Sequence, residues 1–143
     1  MRHKYYTIEQ AEQQIPLVKR NVKRLIQLKK GLEILESIEV SCKSCGTDHF
    51  QNSTLFNKKY HKVSYEFFKN LEKLENMGCI VKDLNLGLID FLAYHNGREV
   101  LLCWKIGEDS INHWHETDSG FSGRKPIWML TQDKKNFSRN INR

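Results

Sequence analysis

The sequence predicts an α+β fold, in which an N-terminal antiparallel helical hairpin packs on a small antiparallel β-sheet built around a β-hairpin. Before Gly78, apolar residues recur every three or four positions in two long stretches, which predicts two helices. After Gly78, the residues on both sides of Asn96-Gly97 alternate, which predicts a hairpin of two strands. The expected organisation is a single domain at 1–130, with the helical hairpin at about 7–78 and the β region at about 79–130, and a basic, disordered tail at 131–143.

The first helical segment begins at Thr7, which is followed three residues later by Gln10, as in a capping box. Pro16 disrupts a helix interior but suits the first turn of a helix. We therefore expect a short helix and then a new one that starts at Pro16 and ends near Ile38. The apolar stripe of the longer helix consists of Val18, Val22, Leu25, Leu28, Leu32 and Leu35.

A second long helix is predicted over about 58–77, and Gly78 is well placed to end it. Its apolar face consists of Val63, Phe67, Leu71, Leu74 and Met77. The intervening residues at 40–57 include many serines, cysteines, threonines and asparagines, which is typical of a loop. This loop is expected at the tip of the helical hairpin.

The turn of the β-hairpin decides how its two strands pair. If Asn96 and Gly97 form a type I′ turn, His95 faces Arg98 across the strands. One face of the hairpin then carries the side chains that belong to the core: Ile89, Phe91, Ala93, Val100, Leu102 and Trp104. A further short strand is expected around residues 110–116.

On the opposite face, the same pairing places Asp90 directly across from Cys103. A carboxylate in the middle of an apolar strand needs a partner, because an unpaired charge there costs several kcal/mol or takes up a proton. We therefore expect Asp90 to be buried and in contact with a side chain from the segment that follows the hairpin. The candidate partners, in order of expectation, are His115, His113 and Arg124.

These residues also form a candidate metal site. His113 and His115 are two residues apart, so on a strand both point the same way and would bind one ion. Asp90 or Glu108 would complete a set of two histidines and one carboxylate, which binds zinc or iron and leaves positions open for catalysis. Arg124, in a glycine-flanked loop, would hold an anionic substrate there. The alternative is a structural network in which His115 and Arg124 pair with Asp90 and Glu108.

A second candidate metal site is Cys42-Lys-Ser-Cys45-Gly with His49 nearby, a spacing typical of a zinc knuckle. Two or three ligands are present, and a second copy of the chain would have to supply the fourth. That arrangement would give a homodimer joined at the hairpin tips, and the helices are another surface for a homodimer. The alternative is a pair of exposed thiols in a mobile loop.

The net charge of +6 is concentrated at the two ends of the chain. Residues 1–30 contain eight lysines and arginines against two acids, and the tail contains four against one. Lys19, Lys23 and Lys30 are expected to be exposed in a basic stripe that would contact RNA, a ribonucleoprotein or an acidic protein. A solvated helix face is the plainer interpretation, because no aromatic residues within the stripe offer stacking surfaces for bases.

The longest apolar run, Val100–Trp104, is far shorter than the roughly 20 residues that cross a bilayer. The first residues are basic and polar and lead into no apolar segment, so no signal peptide is expected. The sequence therefore predicts a cytoplasmic protein without a membrane span. Its four cysteines are accordingly expected to be free thiols or metal ligands.

Several segments resemble the prokaryotic family known as domain of unknown function 2203: Thr7–Glu12, Ile15-Pro16, Val81–Phe91, Gly97-Arg98, Leu102–Glu108, Trp114-His115 and Gly120–Arg124. The resemblance extends over most of residues 7–127. It implies no established activity, substrate or cofactor, so the function has to be argued from the residues.

The sequence leaves two classes of function open. The first is a small protein that binds a metal ion or a small ligand in its C-terminal β region, with an enzyme of unknown reaction included. The ligand-binding candidates for this class are Asp90, Cys103, Glu108, His113, His115 and Arg124. The second is a non-catalytic adaptor that binds RNA, a ribonucleoprotein or an acidic protein through its basic helix face and tail.

Overall fold

The computed structural model describes the backbone of residues 3–42 and 49–131, and the side chains of these ranges except those of 39–42 and 49–52. Two long helices, α1 (Ile8–Cys42) and α2 (His49–Asn76), pack against each other. Five strands follow: β1 (Cys79–Asp83), β2 (Leu88–His95), β3 (Arg98–Lys105), β4 (His113–Glu116) and β5 (Lys125–Pro126). They form one antiparallel sheet in chain order, so the predicted α+β fold is confirmed. Over the residues described, neither helix has the long apolar stretch that a membrane-crossing helix needs.

Helix α1 begins with the predicted capping box. The Gln10 backbone N–H donates to Thr7 Oγ1 at 3.1 Å, and the Thr7 N–H donates to Gln10 Oε1 at 3.0 Å. The prediction that the helix ends and restarts at Pro16 is wrong, since α1 continues through this residue as one helix of 35 residues. An interior proline costs about 3 kcal/mol or more. Burial of Ile15 before it and Val18 after it in the same core offsets that cost.

Helix α1 extends to Cys42 and helix α2 starts at His49, so the prediction of a loop over 40–57 is wrong for 40–42 and for 49–57. Aromatic contacts explain the longer helix. The rings of Phe56 and Tyr60 stack with centroids 6.1 Å apart, and the Tyr60 hydroxyl donates to Glu36 of α1 at 3.2 Å. Gly78 follows the end of α2 with a φ of 82°, in the left-handed conformation that glycine adopts most readily.

The β2–β3 hairpin has the predicted register. Asn96 and Gly97 have φ values of 49° and 79°, as a type I′ turn requires. The pairing that follows places Asp90 opposite Cys103. Strand β4 lies within the stretch predicted for a further strand, whereas β1 and β5 are absent from the sequence-based prediction.

The core lies between the two helices and one face of the sheet. It includes all six side chains predicted for the core face of the hairpin, together with Val18, Val22 and Leu25 from α1 and Leu74 from α2. Complete burial of a valine, leucine or phenylalanine side chain contributes about 1.5–3 kcal/mol. This side of the sheet therefore supplies most of the apolar burial that stabilises the fold.

The second face of the sheet is also buried around Asp90. Asp90 is 1% exposed, and its neighbours Leu92, Leu101 and Cys103 are at most 8% exposed. The β4–β5 connection, which contains a 3₁₀ turn at Phe121–Gly123, packs next to this part of the sheet. A charged residue thus lies in an enclosed position opposite the helices.

Candidate metal centre

Asp90, Cys103 and His115 come together on the second face from three adjacent strands. Asp90 on β2 lies opposite Cys103 on β3, and His115 on β4 lies opposite Leu101. Residues 101 and 103 share a face, so the His115 ring reaches diagonally over β3 to Asp90. One potential ligand atom from each of the three residues lies within 4.8 Å of the other two. All three residues are at most 2% exposed.

Both ring nitrogens of His115 have a partner. Nδ1 lies 2.8 Å from the backbone carbonyl oxygen of Glu116, and Nε2 lies 3.1 Å from Oδ2 of Asp90. A carbonyl oxygen only accepts hydrogen bonds, so Nδ1 carries a proton and donates it. The predicted burial of Asp90 and its pairing with His115 are confirmed.

The contact between His115 and Asp90 requires a positively charged species between them. With the Nδ1 proton directed at Glu116, Nε2 of a neutral ring would present a lone pair to a carboxylate oxygen, and two acceptors repel each other. The contact is favourable when a proton, or a metal ion in its place, lies between Nε2 and Oδ2. Metal-binding histidines have the same arrangement, with the other ring nitrogen donating to a carbonyl group.

The second carboxylate oxygen of Asp90, Oδ1, is buried and has no hydrogen-bond partner among the described residues. Leaving a buried polar atom unsatisfied costs about 1–3 kcal/mol, and more for a charged group. The Asp90 side chain also lines a cavity of about 70 Å³, together with Cys103, His115, Lys82, Leu88, Ser119, Gly120 and Phe121. One water molecule occupies about 30 Å³ in the liquid, so the cavity has room for an ion with one or two waters.

The Cys103 thiol is protonated at neutral pH. Burial, and after it the negative charge of Asp90, raises the pKa of Cys103 from 9.0 to about 12. Burial likewise raises the pKa of Cys79 to about 12, although Lys4 opposes the shift. Cys79 belongs to the core on the other face of the sheet. Cys103 is therefore a poor nucleophile by itself, and a bound cation would be needed to make it a thiolate.

The free energy of unfolding is expected to fall as the pH rises from about 9 to about 12. Cys79 has a pKa near 9.0 when unfolded and about 12 when folded, so in this range only the unfolded chain loses the proton. The contribution of the buried Cys79 thiol to the free energy of unfolding is fully present below pH 9. Above that pH it is lost at up to about 1.4 kcal/mol per pH unit. Urea unfolding at several alkaline pH values measures this fall in the wild-type protein and in Cys79→Ala. The free energy of unfolding of the variant should fall less steeply with pH. If the free energy of unfolding fell equally steeply with pH in both proteins, Cys79 would not be the cause.

Glu108 and Arg124 form a separate pair beside the cluster. Arg124 Nη2 donates to both carboxylate oxygens of Glu108 at 2.8 Å, and the Lys105 backbone N–H donates to Glu108 Oε2 at 2.8 Å. The Arg124 guanidinium also lies 5.0 Å from the ring centroid of Phe121, which lines the cavity. Together with the contact between His115 and Asp90, this pair is the structural network that was expected as the alternative to the metal site. The Arg124 side chain thus contacts both Glu108 and Phe121.

His113 lies outside the three-residue group. Its Nδ1 is 3.6 Å from Glu108 Oε1, and the group of potential ligands found among the described residues does not include it. The predicted set of two histidines and one carboxylate is thus not assembled, and Cys103 stands where the second histidine was expected. The sequence already indicated that Cys103 lies beside Asp90, because the predicted hairpin register places the two residues opposite each other. Ser119 also lines the cavity, and no pattern in the sequence indicated that it would lie there.

The second predicted metal site lies outside the described residues. Cys45 falls in the part of the chain at 43–48 that is not described, and only the backbone is described for Cys42 and His49, which end α1 and begin α2. Zinc binding at this tip stays a prediction, as does the character of the tail beyond residue 131.

The basic stripe on α1 is only partly as expected. Lys23 and Lys30 are exposed, whereas Lys19 is half-buried, so the expectation that all three are exposed is wrong for Lys19. Position 19 follows the fully buried Val18 directly, at the edge of the face that packs in the core. RNA binding by this stripe stays a prediction.

A family model described as uncharacterized conserved protein (DUF2203) matches residues 4–127. The matched range contains both helices, all five strands and the three residues of the cluster. No curated protein and no solved structure matches the chain.

Proposed function

This chain belongs to the DUF2203 family of uncharacterized conserved proteins, and from the geometry of its site we propose that it is a zinc-binding protein. The ligands are Asp90, Cys103 and His115. The observation that carries the proposal is the buried Asp90 Oδ1, which has no hydrogen-bond partner among the described residues and belongs to a side chain that lines the small cavity. A cation in this position would satisfy that oxygen and replace the proton between His115 and Asp90.

The three donor types favour zinc. Zinc binds thiolate, imidazole and carboxylate ligands in proteins, whereas magnesium and calcium take oxygen ligands. Iron sites with two histidines and one carboxylate need a second histidine, and this cluster has one. Bonds of about 2.0–2.3 Å place the ligand atoms of a tetrahedral zinc ion roughly 3.3–3.8 Å apart. The atoms here already lie within 4.8 Å of one another, so small side-chain shifts close the site.

Zinc binding also leaves the charge of this buried site unchanged. In the metal-free site, one proton lies between His115 and Asp90 and another is on the Cys103 thiol. A zinc ion replaces both protons, so two positive charges leave as two arrive. An uncompensated charge in a buried site is costly, and this exchange avoids one.

The ion would keep one coordination position for a water molecule or a small ligand, because three protein ligands do not complete a tetrahedron. Such sites lower the pKa of a bound water and polarise carbonyl groups. Lys82 and Ser119 line the same cavity, so a small ligand on the ion would contact them. The proposal is thus a zinc site with an open position, held beneath Phe121.

Zinc titration of the metal-free protein by isothermal calorimetry tests the proposal. The measurement uses the Cys42→Ser, Cys45→Ser double variant, which removes the separate site predicted at the hairpin tip. We expect one zinc ion per chain and the release of about two protons per ion. Titrations in buffers with different enthalpies of ionisation count those protons.

Asp90→Asn in the same background keeps the side-chain shape but removes the charge of a direct ligand, and it is expected to weaken zinc binding by at least the roughly 10–100-fold that follows loss of a residue hydrogen-bonded to a ligand. A double variant that binds no zinc would assign any zinc of the wild-type protein to the tip and overturn the sheet site. An Asp90→Asn protein with unchanged affinity and proton release would overturn it as well.

A further inference from the structure

A groove of about 600 Å³ runs between α1 and α2 on the helical hairpin, apart from the sheet face that carries Asp90. Its floor is apolar and consists of Leu28 from α1 with Leu55 and Val63 from α2. Leu55 is 67% exposed. A concave apolar surface with an exposed leucine is typical of a site that another molecule covers.

The rim of this groove is strongly cationic. Arg24 of α1 and Lys58, Lys59 and Lys62 of α2 line it, against a single acid, Glu66. All four basic residues are exposed, and none of them takes part in an ion pair between described residues. The groove therefore combines an apolar floor with an excess of positive charge, and its four basic side chains form no ion pair among the described residues.

We propose that this groove binds an acidic amphipathic helix of a partner protein. The apolar face of such a helix would contact Leu28 and Leu55, while acidic residues on its flanks would face the lysines, as in other helix-in-groove complexes. Charge argues against a second copy of this chain as the occupant, because the same groove of the copy is cationic and like charges repel.

The floor also argues against a nucleic acid as the occupant. Phosphates gain nothing from aliphatic side chains, and bases bound to a protein surface commonly stack on aromatic rings. None of the residues described at the groove is aromatic. An acidic helix uses both properties of the groove, the apolar floor and the cationic rim.

Fluorescence anisotropy with a labelled model peptide tests the proposal. The peptide is a helix of about 18 residues with leucines at i, i+3, i+4 and i+7 and glutamates on the flanks. A peptide of identical composition in scrambled order and a single-stranded RNA serve as the comparison probes. We expect micromolar binding of the amphipathic peptide, at least about tenfold tighter than that of either comparison probe, and weaker binding at high salt.

Two variants address the two properties of the groove. Lys59→Glu with Lys62→Glu reverses the rim charge, and Leu55→Asn makes the floor polar at an exposed position where the cost in stability is small. Each is expected to weaken binding of the amphipathic peptide by at least about tenfold. The matched control is Lys69→Glu with Lys73→Glu, which changes the net charge equally at exposed positions of the same helix outside the groove and should bind the peptide like wild type.

Three results would overturn the proposal. The first is no binding of the amphipathic peptide, or binding that the scrambled peptide equals. The second is an equal loss in the groove variant and in its matched control, which would indicate general attraction to a basic protein. The third is tighter binding of RNA that is lost in the groove variant, which would make the groove a nucleic-acid site. Circular dichroism of each variant shows that the helices remain folded.

Discussion

Replacement of His115 by leucine is expected to lower the free energy of unfolding by about 3–5 kcal/mol. The substitution leaves Asp90, which is 1% exposed, as a buried carboxylate without the imidazole that lies 3.1 Å from it. Leucine is apolar and of comparable size, so the loss reflects the unpaired charge more than a cavity. Urea unfolding of the metal-free protein at neutral pH measures the change.

The matched controls are Asp90→Leu and the double variant with leucine at both positions. The double variant is expected to be far more stable than His115→Leu, because the charge that needs a partner is gone, and it should come within about 1–2 kcal/mol of wild type. A His115→Leu protein as stable as wild type would contradict a buried ion pair at this position.

Replacement of Cys103 by alanine is expected to weaken zinc binding by more than about a hundredfold. This exceeds the loss seen when a residue that only hydrogen-bonds to a metal ligand is replaced, because Cys103 is itself a ligand in the proposed site. With cobalt(II) in place of zinc, the wild-type protein should show the near-ultraviolet charge-transfer absorption of a metal–thiolate bond, and the variant should lack it. The Cys42→Ser, Cys45→Ser background again removes the thiols of the hairpin tip.

Cys79→Ala is the matched control for this experiment. Cys79 is 4% exposed and has a pKa of about 12, so it resembles Cys103 as a buried thiol, but it belongs to the core on the opposite face of the sheet. The Cys79→Ala protein should keep both the zinc affinity and the cobalt absorption. Loss of the absorption in both variants would indicate a general structural effect and count against Cys103 as a ligand.

The predictions that failed concern features in which packing overrides local preference. The sequence predicts a helix boundary at Pro16, yet α1 continues through it. Ile15 and Val18, on either side of the proline, are buried in the same core, which stabilises the continuous helix. The polar composition before residue 58 indicates a loop, but contacts of Phe56 and Tyr60 extend α2 toward the tip. A contact between two helices cannot be seen in the composition of either one.

The position of His113 outside the cluster was missed for a similar reason. Its spacing from His115 favours a shared metal ion, and both side chains do lie on one face of β4. Glu108, fixed by Arg124 and by the Lys105 backbone N–H, lies close to His113 instead. The position of Glu108 depends on how the β3–β4 connection folds, and residue spacing within β4 carries no information about that path.

Residues close together in the chain were enough to define the two helices, the Asn96-Gly97 turn and, through that turn, the place of Asp90 opposite Cys103. A two-residue turn leaves one register, and the register then decides which side chains share a face. The place of His115 as the third member of the cluster depends on how the strands pack, because its ring must cross β3 diagonally to reach Asp90. The cavity beside them likewise depends on where the β4–β5 connection closes over the sheet, which is a property of the assembled fold and not of any single segment.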